Sequence, residues 1–119
     1  MSAKVLQDAK EALEGLNTDK IIEIYADRFL FEDTSARERI TDRKALKEYF
    51  QRLFTMPQVS FSEFRIFEAE CFAVIEWTWG GVKRTSGEPF RVRGASVVEL
   101  SQGKVSRESI YYDPTPALS

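Results

Sequence analysis

The chain has 119 residues, 43% hydrophobic and 13% aromatic, enough to bury one core and too few for two, so residues 1–119 are expected to form a single domain. Its 17 basic and 19 acidic residues leave a net charge of −2, without the concentrated Lys and Arg that a phosphate backbone requires, so no nucleic-acid partner is expected. The absence of histidine removes Ser-His and Cys-His nucleophile pairs, imidazole acid–base catalysis and imidazole metal ligation together, leaving proton transfer to carboxylates, Tyr, Lys or water.

The first predicted element is an amphipathic helix, with Val5, Ala9, Ala12, Leu13 and Leu16 on one face and charged residues elsewhere. Gly15 and Asn17 mark its end. Asn17 or Thr18 can cap a second helix, with Asp19 favourable in its first turn and Ile21, Ile22 and Tyr25 as its apolar stripe. Leu30 to Glu32 then read as a short strand, whose period of two would put Phe29, Phe31 and Asp33 on one face. Arg37, Arg39 and Arg43 cluster among acidic residues and read as a solvated face. Thr41 is the expected cap of a third helix, with Asp42 complementing its dipole and Ala45, Leu46, Tyr49, Phe50, Leu53 and Phe54 as its apolar face; Met56-Pro57 stops it.

Everything after Pro57 reads as sheet. Val59 to Phe67, Cys71 to Trp79, Phe90 to Leu100 and Lys104 to Tyr112 are rich in β-branched and aromatic residues, and Gly80-Gly81, Ser86 to Pro89 and Ser101 to Gly103 punctuate them as turns. Consecutive antiparallel strands follow, and helices succeeded by strands give an α+β order. Within these strands Glu76, Arg91, Arg93 and Glu99 alternate onto one face, where cross-strand ion pairs or a dimer interface are the ordinary roles. Cys71 lies in an apolar run and reads as a small buried hydrophobe. A single cysteine excludes an internal disulfide. No N-terminal apolar run resembles a signal peptide or membrane span, and a cytoplasmic protein is the expectation. The tail from Pro114 to Ser119 is expected to be frayed or laid along a partner.

Several of these elements in combination carry a resemblance: Tyr25-Ala26-Asp27 after the second helix, Glu32-Asp33 soon after, Ile40-Thr41-Asp42-Arg43 opening the third helix, and Gly103-Lys104-Val105 before Tyr111-Tyr112-Asp113. On these the chain resembles the SnoaL-like and ketosteroid isomerase-like branch of the nuclear transport factor 2-like superfamily. The resemblance implies a cystatin-like cone: three N-terminal helices packed on a strongly curved antiparallel sheet, with a pocket for a small apolar or aromatic ligand between them. It also implies a homodimer formed through the outer face of the sheet. The fold hosts several activities and does not choose among them.

By the same resemblance Asp33 matches the catalytic carboxylate of ketosteroid isomerase, the base that moves a proton α to a carbonyl. The chemistry needs a carboxylate held in an apolar pocket. The competing reading of Asp33 is an exposed or turn-capping aspartate at the end of a strand, backed by Thr34 and Ser35 just after it. The family's oxyanion-binding tyrosine would fall near Ala12 and its protonated aspartate near Ser96, so neither donor carries over, and Tyr49, Ser96 and Tyr112 are left as candidate donors. The Asp-Arg-Asp set of the epoxide hydrolases would fall on Trp77, Trp79 and Ile110, and the acidic residue of the polyketide cyclases also on Ile110, which argues against both chemistries. Asp113, at odd spacing from Ile110, would point to the opposite face.

The implied pocket lining is Tyr25, Phe31, Tyr49, Phe50, Trp77, Trp79, Ser96, Ile110 and Tyr112, suited to a flat or ring-containing molecule. Filling of the core by these same aromatics is the other reading. No carboxylate spacing resembles a calcium loop, so neither a metal nor an organic cofactor is expected. Two functions stay open: an isomerase or cyclase using Asp33 as proton shuttle, and a non-catalytic ligand-binding or protein-interaction module on the same scaffold.

Overall fold

The helical and strand periodicities segregate into two layers. A computed structural model describes residues 4–118. Helix α1 (Lys4–Glu14) buries Val5, Leu6, Ala9 and Ala12. Helix α2 (Thr18–Glu23) starts at Asn17, whose side-chain oxygen accepts the Lys20 N–H at 3.0 Å. Strands β1 (Tyr25–Asp33) and β2 (Glu38–Ile40) precede helix α3 (Arg43–Phe54), and β3 (Ser60–Glu68), β4 (Phe72–Val82), β5 (Pro89–Ser101) and β6 (Lys104–Tyr112) complete one six-stranded sheet in the order β2-β1-β6-β5-β4-β3. The α+β architecture is the expected one, and the sheet stays open.

Several local expectations are corrected. Tyr25 opens β1 instead of continuing the α2 stripe, because α2 ends after Glu23 and its carbonyls are taken elsewhere. Arg43 donates to Ile22 O at 2.7 Å and Tyr25 O at 2.6 Å, and Lys104 donates to Glu23 O at 2.7 Å. Arg43 thus clamps α3 to the α2–β1 junction while staying exposed, as Arg37 and Arg39 are on the expected solvated face. Asp42, not Thr41, caps α3: Ile40 is held in β2 by pairing with Phe31, and the Asp42 carboxylate one turn on accepts Ala45 N–H at 2.9 Å. Strand β1 pairs β6 in parallel, so the sheet is not antiparallel throughout. Gly80 and Gly81 lie inside β4, paired with Arg91 and Phe90, and the chain turns later, between Lys83 and Glu88. Cys71 is exposed, since it sits in the β3–β4 turn that Ala69 N–H closes on Phe72 O at 2.8 Å. The tail is not simply frayed: Thr115–Ala117 form a 3-10 turn, begun where Asp113 accepts Thr115 N–H at 3.0 Å; Ser119 lies outside the described residues.

Curvature is built in at irregular points of the ladder. The β3–β4 register shifts between Ser62 and Arg65, where Glu63 takes a positive φ of 57°. That bulge is pinned on the outer face: the Glu63 carboxylate accepts Thr78 Oγ1 at 2.6 Å and Arg91 at 2.7 Å, and its carbonyl accepts Arg93 at 2.6 Å. A bulge bends and further twists its strand, which tips β3 and β4 around the helices. At the other end, Gln102 and Gly103 both take positive φ, as a tight β5–β6 hairpin requires. The expected outer-face ion pairs form, among them Arg93 to Glu76 at 3.3 Å.

One close approach shapes the interior. Trp77 and Gly94 face each other across β4 and β5, and a Cβ at Gly94 would lie 2.3 Å from Trp77 Cη2. The indole lies over the bare backbone, and its N–H reaches Ser96 Oγ, two residues further along β5, at 3.0 Å. Gly94→Ala is expected to displace that ring, lowering stability by about 1–3 kcal/mol. A matching fall in melting temperature with altered Trp fluorescence checks it, and unchanged values of both refute it.

Candidate functional site

Asp33 ends β1, where alternation places it on the inner face with Phe29 and Phe31. It is 3% exposed, and both its oxygens are engaged. Oδ1 accepts the Ala36 N–H at 3.1 Å, closing the turn toward β2, and Oδ2 accepts the phenols of Tyr49 at 2.8 Å and Tyr112 at 2.9 Å. Thr34 and Ser35 tie the same turn to β6 by donating their hydroxyls to Ile110 O at 2.6 Å and Tyr112 O at 2.5 Å. The expectation of an exposed aspartate is overturned by its burial at the end of β1, while the turn-capping reading is realised at Oδ1. Asp113 is exposed but lies past the end of β6, so strand alternation does not set its direction.

Tyr49 comes from α3 and Tyr112 from β6, so three separate elements meet at one carboxylate. Burial, and then the charge of Asp33 beside them, push both phenols well above their ordinary range. At neutral pH both are hydrogen-bond donors and not bases.

Around this cluster lies a pocket of about 260 Å³. Asp33 and five of the expected lining residues border it: Tyr49, Trp77, Trp79, Ile110 and Tyr112. Trp79 packs edge-on to Tyr112, with ring centres 5.9 Å apart, and its buried N–H finds no acceptor among the described residues. Tyr49, Trp77 and Ile110 are buried in the core, with Trp79 and Tyr112 packed against it, and all five also border this space. The rim adds Glu38, Arg52 and Arg84, with Arg52 paired to Glu38 at 3.3 Å, and Met56 and Phe61 add apolar wall. None of these was singled out from sequence. Arg52 could have been found, because it stands three residues after Tyr49 and so on the same side of α3. Arg84 lies in a turn, whose direction no periodicity reports.

The other expected residues, Tyr25, Phe31, Phe50 and Ser96, border a second and smaller cavity of about 50 Å³, between the helices and the sheet. Tyr49, Leu53, Trp77 and Ile110 border both spaces. Ser96 is therefore turned away from Asp33, toward Trp77 and Glu108. Glu108 escaped sequence reasoning altogether. It is 8% exposed and accepts the Tyr25 hydroxyl at 2.5 Å. Burial raises its pKa, with the hydrogen bonds from Tyr25 and Ser96 partly offsetting that shift. The available signal was the period of two, since Glu108, Ile110 and Tyr112 share a face of β6. Ala12, where the family tyrosine would fall, is fully buried in α1. Among the described residues no group of three metal-ligating side chains comes together, and no helix is long and apolar enough to cross a membrane.

A model of the SnoaL-like domain matches residues 6–108. No curated protein sequence matches the chain significantly. Among solved structures, a ketosteroid isomerase-like protein from Catenulispora acidiphila, in complex with trimethylamine, is 18% identical with a TM-score of 0.86, over 98% of this chain and 91% of that one. A provisionally named polyketide cyclase from Xanthomonas campestris is 16% identical with a TM-score of 0.82, over 93% and 89%. A provisionally named ketosteroid isomerase from Kribbella flavida is 18% identical with a TM-score of 0.73, over 93% and 76%. At these identities the likeness establishes the fold alone.

Proposed function

The chain belongs to the SnoaL-like domain family, and from that premise we propose that it takes a small, ring-containing carbonyl compound into the outer pocket and moves a proton on it with Asp33, as an isomerase or cyclase does. The observation that carries this reading is the Tyr49–Asp33–Tyr112 cluster in the wall of an aromatic pocket. The Asp33 carboxylate removes a proton from the carbon beside the carbonyl and returns it at another carbon. Tyr49 or Tyr112 transfers its O–H from the carboxylate to the carbonyl oxygen as negative charge gathers there. A preorganised donor of this kind contributes on the order of a hundredfold in rate. Exchange of α-protons of β-tetralone with deuterated water, followed by NMR, tests the proposal; acceleration over a protein-free control supports it, and none at saturating ketone rejects it.

A second reading is a non-catalytic ligand-binding or interaction module. It is favoured by the buried apolar Ile110 at the position where the polyketide cyclases carry an acid, and by Ala12. Saturable binding of β-tetralone without exchange is its signature.

The reading includes a homodimer and a cytoplasmic location. An exposed free thiol at Cys71 suits a reducing compartment. The outer sheet face carries Phe67, Phe72, Val97 and Tyr111 as exposed large side chains, an apolar surface of the kind that marks an interface. Wild type is expected to sediment as a dimer and Val97→Glu as a folded monomer. A monomeric wild type at micromolar concentration rejects the dimer.

A further inference from the structure

Glu108 is a buried carboxyl with no cationic partner among the described residues, whereas the outer-face carboxylates Glu32, Glu63 and Glu76 each pair with an arginine. Such a group is costly to bury and is ordinarily paired or neutralised. It borders the inner cavity, whose volume of about 50 Å³ is several times what one water molecule needs. Two further oxygens stand beside the carboxyl. Tyr25 Oη donates to Glu108 and keeps its lone pairs, and Ser96 Oγ accepts from Trp77 with a second lone pair to spare. Aromatic side chains supply much of the remaining wall: Tyr25, Phe31, Tyr49, Phe50 and Trp77. Three acceptors, one of them able to carry a negative charge, inside a cage of rings match a group with three N–H donors and a positive charge.

We propose that the inner cavity is a binding subsite for a primary ammonium group, with Glu108 as its counter-ion, Tyr25 and Ser96 as accessory acceptors and the surrounding rings as a cation-binding wall. The site shares Tyr49, Trp77 and Ile110 with the wall of the outer pocket, but its charge chemistry rests on Glu108 and stands whether or not the Asp33 reading holds. In the bound state the ionised Glu108 carboxylate pairs with the ammonium. The other titratable groups on the cavity are Tyr25 from β1 and Tyr49 from α3, both held as neutral phenols; α1 and α2 present only apolar side chains to it. Because the cation selects the ionised form of a carboxyl whose pKa is raised, affinity is full above that pKa and falls as the solution is acidified through it.

Methylammonium is the probe and methanol its uncharged isostere, titrated by NMR on the Trp77 indole N–H and neighbouring backbone amides. Saturable shifts with methylammonium are expected at about pH 8, weakening about tenfold or more by about pH 4, with no comparable response to methanol. Glu108→Gln keeps an acceptor for Tyr25, and is expected to weaken binding about tenfold or more while Asp33→Asn leaves it unchanged. The pH titration of wild type reads the same charge without any variant. Equal responses to methylammonium and methanol, absence of saturation in folded wild type, or loss in Asp33→Asn with retention in Glu108→Gln overturns the proposal.

Discussion

Replacing Asp33 by Asn is expected to slow α-proton exchange in β-tetralone by about a hundredfold or more, the usual contribution of a positioned general base. The amide is isosteric and can still accept the Ala36 N–H through its oxygen while presenting its nitrogen to the phenol oxygens of Tyr49 and Tyr112. The turn and the three-element junction therefore persist. What disappears is the lone pair that takes the proton. Binding of the ketone is expected to change little, so the loss falls on turnover and not on apparent affinity. Tyr49→Phe is the companion variant; it removes one donor and leaves the base, and a smaller loss, about tenfold, is expected because Tyr112 can still donate. Exchange that is undiminished in Asp33→Asn, with the melting temperature unaltered, assigns the base elsewhere.

Phe31→Ala is expected to cost about 3–5 kcal/mol, a large share of the 5–15 kcal/mol that stabilises an ordinary domain. Phe31 is 1% exposed, and its ring centre lies 4.9 Å from that of Tyr49 and 5.7 Å from that of Phe50. It is thus the contact through which β1 bears on α3. Its deletion removes the transfer free energy of the ring and leaves a void beside the inner cavity that a sheet anchored by β2 and β6 cannot close. Denaturant titration should show a lower midpoint with little change in slope. Phe31→Leu, which refills most of the volume, is expected to recover the larger part of the loss. A loss below about 1 kcal/mol for the alanine variant means that the layers collapse onto the void and the ring is not a keystone.

The resemblance on Glu32-Asp33, Ile40 to Arg43 and Gly103 to Asp113 anticipated the helix-on-sheet cone; period two gave which side chains of β4 to β6 share a face, and the resemblance gave which face turns inward. Trp77, Trp79, Ile110 and Tyr112 all border the pocket, on the faces their pairwise alternation shares. Short or irregular pieces were harder to read. Strand β2 has three residues and exists because Ile40 pairs with Phe31, a partner nine positions away whose direction is set by the Asp33 turn. Gly80-Gly81 looked like a turn because glycine pairs punctuate chains, yet pairing with Phe90 and Arg91 keeps them in β4. Glu108 went unread because composition treats a lone carboxylate in a strand as solvated, whereas its register opposite Val98 and beside Phe31 puts it under the helices.

By itself the sequence determined what its local rules govern: the two periodicities, the start of the second helix and the Ser101 to Gly103 hairpin turn, the absence of histidine chemistry, and which side chains share a face on each long strand. Tertiary structure alone decided that β1 runs parallel to β6. That pairing brings Asp33 level with Ile110 and within reach of phenols from α3 and β6. It also decided that Ser96 and Tyr25 serve Glu108 and not Asp33. The reason is range. Periodicity and capping act over one or two turns of chain, while the distance between two side chains from different elements depends on crossover path, bulge position and register, which no local pattern encodes.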